Sequence, residues 1–140
     1  MRHVVIDTNV YIDWFNTRRH EDVVAQSGVV FHLSAVVLME LRAGASGHDV
    51  LAVDRLEKTF RKNRRVLPPS SAVFSEGGEI LRRLRVERDY DLATSQSIVN
   101  DVLIALSARS IGAVVATQNE RDFRAIQSLR GFDLFIVEGR

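Results

Sequence analysis

Short apolar runs alternate along the chain with longer segments of helical periodicity, and this alternation constrains the fold more than any other feature. The runs lie at 2–6, 29–33, 66–67, 113–116 and 132–137. Brief, mostly apolar runs of this kind are typical of strands that are buried on both faces. Helical segments between successive strands predict parallel crossover connections. The sequence therefore predicts an α/β fold with a short, twisted parallel sheet of about five strands, flanked by helices.

Composition predicts one soluble globular domain covering residues 1–140. Apolar residues make up 46% of the 140-residue chain and charged residues 26%, and this length is sufficient to bury a core. No apolar stretch has the length of a membrane span, and none resembles a signal peptide. The chain has no cysteine, which excludes disulfides, thiolate zinc sites and a cysteine nucleophile. We therefore expect a cytoplasmic protein without membrane association.

The net charge of +1 conceals an excess of arginine among the basic residues, because only Lys58 and Lys62 are lysine. Arginine binds phosphate in a bidentate manner, although a GC-rich genome also favours it. The basic residues cluster in two helical segments, at positions 55, 58, 61, 62, 64 and 65 and at positions 82, 83, 85 and 88. A basic helix face is usually only a solvated face, but it is also what a nucleic-acid backbone requires.

The first apolar run ends in an acid, Asp7, at the sheet edge where open α/β proteins bind ligands. Considered alone, an Asp after a strand more often caps the next helix or forms an Asx turn. Glu40 is also an acid in apolar surroundings. It shares a helix face with Val36 and Val37, and this apolar face is expected to lie against the sheet. The alternative for Glu40 is a position at the helix border, paired with Arg42 or a more distant base.

Asp101 is the acid that is hardest to explain by a purely structural role. It lies in an almost wholly apolar helix, where an unpaired carboxylate is either costly or becomes protonated. Asp101 therefore requires a cation or a network of hydrogen-bond donors. Asp122 follows the run at 113–116, and its simplest explanation is the favourable helix dipole in a first turn.

The predicted topology brings these four acids towards one edge of the sheet. Asp7 and Asp122 lie just past apolar runs, Glu40 lies about one turn into a helix, and Asp101 lies in the first turns of another. Carboxylates that converge in this way repel one another unless a divalent cation binds them. An all-oxygen site without His or Cys suits Mg²⁺ or Mn²⁺ better than Zn²⁺. Such an ion keeps positions for a phosphate oxygen and an attacking water.

Three stretches resemble PIN-domain ribonucleases, and among these the VapC-type toxins of bacterial toxin–antitoxin pairs. They are VVIDTNVYIDW at 4–14, SAVVLMELRAG at 34–44 and NDVLIALSARSIGAVVATQNERDF at 100–123. Their order, their spacing and the chain length are similar to those of the family. The resemblance implies a PIN-like three-layer fold, Mg²⁺ or Mn²⁺ as cofactor, and metal-dependent endonucleolytic cleavage of RNA by a metal-activated water.

The resemblance also assigns roles to individual positions. Asp7, Glu40, Asp101 and Asp122 match the catalytic acids; our hypothesis is that Asp7 and Asp101 bind the metal and that Glu40 is a ligand or a general base. Many relatives carry an acid where Asn119 stands, so the fourth acidic position stays open between Asn119 and Asp122. The residues expected to line the pocket are Thr8, Asn9, Ser34, Thr117 and Asn119.

The family further implies a homodimer and a cognate antitoxin whose tail occupies the groove and places a basic side chain among the acids. Trp14 and Phe15 face either a partner or the core, and their helical spacing from Tyr11 favours the core.

Three other functions compete with this interpretation. A haloacid dehalogenase-like phosphohydrolase needs a second Asp two residues after Asp7, where Asn9 stands instead. A nucleotide-binding domain is unsupported, because the sequence has neither a G-x-x-x-x-G-K-[ST] nor a G-x-G-x-x-G motif. A catalytically inactive PIN-like binding module is the third, and the presence of Asp7, Glu40 and Asp101 argues against it, because buried acids reduce stability.

Overall fold

The computed structural model describes residues 1–138. Within them, five strands form one parallel sheet in the order β3-β2-β1-β4-β5. The strands are β1 (Arg2–Ile6), β2 (Val29–Ser34), β3 (Val66–Leu67), β4 (Val114–Thr117) and β5 (Asp133–Ile136). The helices are α1 (Thr8–Thr17), α2 (Glu21–Val24), α3 (Ala35–Gly44), α4 (Asp49–Lys62), α5 (Ser71–Arg88), α6 (Gln96–Ser110) and α7 (Glu120–Leu129). The predicted α/β, PIN-like fold with a parallel sheet flanked by helices is confirmed.

The direction in which the chain builds the sheet reverses between β1 and β4. From β1 the chain adds β2 and β3 on one side, and it then crosses to add β4 and β5 on the other side. Parallel α/β sheets bind ligands outside the carboxyl ends of the strands at such a reversal, because the flanking loops diverge there. Ile6 and Ala116 are register partners at this point, so the residues that follow them, Asp7 and Thr117, lie at the crevice.

Two groups of helices complete the core around the sheet. Helices α5, α6 and α7 pack against one another, and α3 packs against both α1 and α4. The central strands are the most buried, since Val5, Ile6 and Val115 are almost fully inaccessible to solvent. Trp14 and Phe15 are partly buried against this core, as their helical spacing favours. No helix within residues 1–138 combines the length and the apolarity needed to cross a bilayer.

The start and end of α1 differ from the simplest sequence prediction, which places the cap at Thr8 or Asn9 and a polar turn from position 16. Asp7 is the N-cap instead, and its side chain accepts a hydrogen bond from the backbone N–H of Thr8. The helix then continues to Thr17 and ends where Arg18 adopts a left-handed conformation with φ of 60°. Ser34 caps α3, because its hydroxyl accepts hydrogen bonds from the backbone N–H groups of Val36 and Val37.

Candidate active site

Asp7 is held across the reversal point of the sheet by two hydrogen bonds. Its Oδ1 accepts from the backbone N–H of Thr8 at 2.8 Å, and its Oδ2 accepts from the hydroxyl of Thr117 at 2.7 Å. The side chain is only 4% exposed. One oxygen of Asp7 therefore caps α1, while the other faces β4 across the crevice.

Glu40 reaches the same region from α3. Its Oε1 accepts from the hydroxyl of Thr8 at 2.6 Å, and its Oε2 accepts from the side-chain amide of Asn100 at 3.2 Å. The alternative of a border position paired with Arg42 is wrong, because Arg42 binds two carboxylates of α4 instead. Glu40 thus connects the start of α1 with the start of α6.

Asp101 and Asp122 share one amide between them. The side-chain nitrogen of Asn119 donates to Oδ2 of both acids at 3.1 Å, and the Tyr90 hydroxyl donates to Oδ1 of Asp122 at 2.7 Å. Asp101 is 6% exposed, and its Oδ1 accepts no hydrogen bond from the part of the chain that the structure describes. The Asn119 side chain therefore lies between Asp101 and Asp122 and connects the two acids.

Among the described residues, every donor to these four acids is electrically neutral: a hydroxyl, an amide or a backbone N–H. Within residues 1–138, none of Asp7, Glu40, Asp101 and Asp122 forms an ion pair with lysine, arginine or histidine. Neutral donors satisfy hydrogen-bonding capacity but do not cancel charge. The pocket, defined by these four acids and their donors, therefore concentrates negative charge.

Burial and the charge of neighbouring acids raise the pKa of both buried acids. Burial is the largest cause for Asp7, whose pKa is raised to about 6, with a smaller contribution from the charge of Glu40. The pKa of Asp101 is raised to about 8, first by burial and then by the charges of Asp7, Asp122 and Glu40. Four acids thus act on one another, and a bound cation would favour the ionised form of each.

The donor set fits Mg²⁺ or Mn²⁺, because it consists of carboxylate oxygens. As the side chains are placed, no three acid or histidine side chains in residues 1–138 converge on a single point as metal ligands do. Hydrogen bonds hold them around the pocket instead. A carboxylate oxygen has two lone pairs, however, so one hydrogen bond leaves a position for a cation. Asp7 and Asp101 are the two residues best suited to hold it, since they are the most buried and gain most from a positive charge.

Three of the five residues expected to line the pocket contact an acid directly, namely Thr8, Thr117 and Asn119. Ser34 and Asn9 have other partners. The Ser34 hydroxyl accepts from two backbone N–H groups of α3, and Asn9 Oδ1 accepts from the backbone N–H of Gln118 at 3.3 Å. Asn9 thereby links α1 to the turn that carries Thr117 and Asn119.

Sequence reasoning missed two donors, Asn100 and Tyr90. Asn100 carried a usable signal, because it directly precedes Asp101 as one of the few polar residues of an otherwise apolar helix. Tyr90 carried none, since it lies just beyond α5 and reaches Asp122 only through the packing of three helices.

A family model of the PIN domain matches residues 4–129. The chain belongs to the PIN domain family. This match confirms the resemblance that the sequence motifs predict. A comparison with curated protein sequences finds no match.

Solved structures of toxin–antitoxin complexes share the fold of this PIN domain. VapBC2 from Rickettsia felis, bound to a promoter DNA fragment, aligns with a TM-score of 0.69 at 20% identity, covering 97% of this chain and 99% of the other. FitAcB from Neisseria gonorrhoeae gives 0.68 at 25% identity, with coverages of 94% and 96%. DNA-bound VapBC from Salmonella typhimurium gives 0.68 at 24% identity, with coverages of 97% and 98%. The structural similarity extends over the whole domain.

Proposed function

We propose that this PIN domain is a Mg²⁺- or Mn²⁺-dependent endoribonuclease and the toxin of a toxin–antitoxin pair. The observation that carries the proposal is the pocket of four acids at the reversal point of the sheet, surrounded only by neutral donors. Keeping such acids buried reduces stability, so a structural role does not account for them. A pocket that needs a divalent cation and lies at an open edge suits hydrolysis of a phosphodiester.

Each residue of the pocket has a separate task in this proposal. Asp7 and Asp101 hold the ion, which when bound supplies Lewis acidity towards the scissile phosphate and makes water more acidic. Glu40 is a third ligand or the base that accepts a proton from the attacking water, and its bonds to Thr8 and Asn100 fix its orientation. In-line attack leaves a 5′-phosphate and a 3′-hydroxyl. Asn119 and Tyr90 orient Asp122.

The antitoxin partner is supported by the structural neighbours, which are complexes of VapBC and FitAB proteins. A groove beside Glu40 offers a surface for it, with Ile12 and Phe15 of α1, Leu41 of α3 and Val53 of α4 in its walls. Ile12 is 44% exposed although it is apolar. We propose that an antitoxin segment occupies this groove and ends near the acids. The homodimer stays a prediction from the family.

Cleavage assays with two conservative variants test the proposed activity. Purified protein is incubated with total RNA and Mg²⁺ or Mn²⁺, and products are mapped for position and for terminal phosphates. Asp7→Asn and Asp101→Asn each remove a ligand while preserving shape, so we expect cleavage to fall by at least 100-fold. Glu57→Gln is the matched control, because Glu57 is an ion-paired acid on α4, outside the pocket.

Undiminished cleavage by Asp7→Asn and Asp101→Asn would exclude this pocket as the active site. If the unaltered protein does not cleave RNA and metal does not stabilise it, the inactive binding module becomes the better description.

A further inference from the structure

The arginines of α5 and α7 fall into two groups. Three of the six are paired with a carboxylate on the same helix, as the pairs Arg82–Glu79, Arg83–Glu87 and Arg124–Glu120 show. Arg121 belongs to the other three, with Arg85 and Arg88: it is exposed and forms no ion pair with any carboxylate of residues 1–138. A guanidinium without a carboxylate partner keeps its full capacity to bind an external anion.

Arg121 lies beside an aromatic ring. Its Cζ lies 6.0 Å from the centroid of the Tyr90 ring, at the outer limit of a cation–π contact. The hydroxyl of the same Tyr90 donates to Asp122, and Asn119 joins Asp122 to Asp101. A chain of direct contacts therefore leads from the centre of the acid pocket to Arg121 at its rim.

A second guanidinium lies on the same side. Arg88, in the last turn of α5, donates to the Ser128 hydroxyl at 2.7 Å and forms no ion pair among the described residues. The charges of Arg121 and Arg88 both act to lower the pKa of Tyr90, against the larger effects of burial and of Asp122. The rim beside Tyr90 is thus positive where the pocket is negative.

The acid pocket and the rim beside Tyr90 act differently on the phosphates of an RNA strand. The four acids repel phosphates, and a divalent ion offsets this only where it is bound. The phosphates on either side of the scissile one need a cationic side chain of their own. The guanidinium beside Tyr90 is placed to contact one of them, and its bidentate geometry matches the phosphate oxygens.

We propose that Arg121, held against the ring of Tyr90, binds an RNA phosphate that flanks the scissile one. Tyr90 is then a positioning residue, which orients Arg121 through its ring and Asp122 through its hydroxyl. This inference rests on the proposed function, because it takes the bound phosphate to be part of an RNA substrate.

Equilibrium binding of a fluorescent single-stranded RNA oligonucleotide, without divalent metal, tests the contact. Arg121→Gln is compared with Arg124→Gln, the matched control, because Arg124 lies on the same helix and is already paired with Glu120. The logarithm of the binding constant falls linearly with the logarithm of the salt concentration, and the loss of one phosphate contact makes this slope less steep by about 0.7 for single strands. We expect this change, with binding weakened several-fold, for Arg121→Gln but not for Arg124→Gln. Arg121→Lys should restore part of the affinity.

The role of Tyr90 is tested with two substitutions. Tyr90→Phe keeps the ring beside Arg121 but removes the hydroxyl bonded to Asp122, so the salt slope of RNA binding should be retained while the cleavage rate falls. Tyr90→Leu removes the ring, so its salt slope should fall as it does for Arg121→Gln. In cleavage assays, Arg121→Gln should raise KM more than it lowers kcat. Thermal melting checks that each variant is folded.

The outcomes separate this inference from the proposed function. Equal salt slopes for Arg121→Gln and Arg124→Gln overturn the phosphate contact, even if the unaltered protein cleaves RNA. A reduced slope for Arg121→Gln alone supports it, even if no cleavage is found and the proposed activity falls. Failure of the unaltered protein to bind RNA overturns the inference.

Discussion

Carboxylates occur in two contrasting settings in this PIN domain. On the surface between α3 and α4, Arg42 binds Asp54 and Glu57 with nitrogen–oxygen distances of 2.6 Å, and Arg61 binds Glu57 at the same distance. In the pocket, the four acids receive only hydroxyl, amide and backbone donors from the described residues. Asp54 and Glu57 are partly exposed and paired with cations, whereas Asp7 and Asp101 are buried and form no ion pair within residues 1–138.

The two settings shift the pKa values of their carboxylates in opposite directions. Hydrogen bonds from Arg42 and then Arg61 lower the pKa of Glu57, so it stays ionised at neutral pH. Burial and mutual repulsion raise the pKa of Asp101 to about 8. The same functional group is therefore satisfied at the surface, while in the pocket it retains a free-energy cost that a cation can remove. A binding site can be recognised by charges that their surroundings leave uncompensated.

The largest expected effect is stabilisation by metal at pH 8. Mn²⁺ or Mg²⁺ at about 100 times its Kd should add roughly 2.7 kcal/mol to the free energy of unfolding, because only the folded state assembles the site. For a domain of this size the Tm should rise by several degrees. Differential scanning calorimetry measures the shift. Asp101→Asn should abolish most of it, and Glu57→Gln should retain it.

If the Tm does not change with Mn²⁺ or Mg²⁺ up to millimolar concentration, the contrast between the surface acids and the pocket acids fails. The pocket would then hold its negative charge without a cation. A response that survives Asp101→Asn would place the ion elsewhere.

The next effect is the pH dependence of the metal-free protein. The pKa values of Asp7 and Asp101 are raised, to about 6 and about 8, from a value of 3.8 in the absence of these effects. The folded state therefore binds protons more tightly, and this stabilisation is fully present below about pH 4 and is lost as pH rises to about 8. Glu57 has a lowered pKa and contributes in the opposite sense, with stability lost as pH falls.

Urea unfolding in EDTA isolates the contribution of Asp101. The difference in unfolding free energy between the unaltered protein and Asp101→Asn should change in favour of the variant as pH rises from 5 to 8.5. A difference that does not vary with pH would mean that Asp101 is ionised in both states, contrary to its burial.

Asn119→Asp sharpens the same contrast by adding a carboxylate. The substitution removes the amide that donates to Asp101 and Asp122 and places a further negative charge between them. We expect the metal-free protein to lose about 1–3 kcal/mol of stability at pH 8. The metal-induced rise in Tm should be larger than in the unaltered protein, because more repulsion is relieved. A smaller rise would show that Asn119 is needed as a donor to hold the site together.

Much of this arrangement was predictable from the sequence, for reasons that are local. The apolar runs and their helical connections predicted the sheet, and the apolar neighbours of Glu40 and Asp101 marked both acids as unusual. Family motifs added Thr117 and Asn119. Each prediction depends on residues a few positions apart or on a pattern shared with relatives.

What the sequence did not predict depends on packing between distant segments. The contact of Tyr90 with Asp122 spans 32 residues, and no periodicity encodes it. The neighbouring glycines of α5, Gly77 and Gly78, also differ only through packing. Gly77 faces α6, where an added Cβ would lie at an ordinary 3.5 Å from Val102, whereas a Cβ on Gly78 would meet nothing within 4 Å. Which arginines remain without a carboxylate also follows from rotamers and helix orientation rather than from composition.

The smallest expected effect is at the surface between α3 and α4. Arg42→Gln removes the cation shared by Asp54 and Glu57, but both acids are partly solvated and Arg61 still binds Glu57. Exposed ion pairs are screened by water and salt, so the Tm should fall by no more than about 2 °C. The loss should shrink further in 1 M NaCl, where the Debye length is about 3 Å. Calorimetry at low and high salt measures both. A loss as large as the metal-induced gain would mean that counter-charges matter as much at this surface as in the pocket, and burial would then not be what separates the two settings.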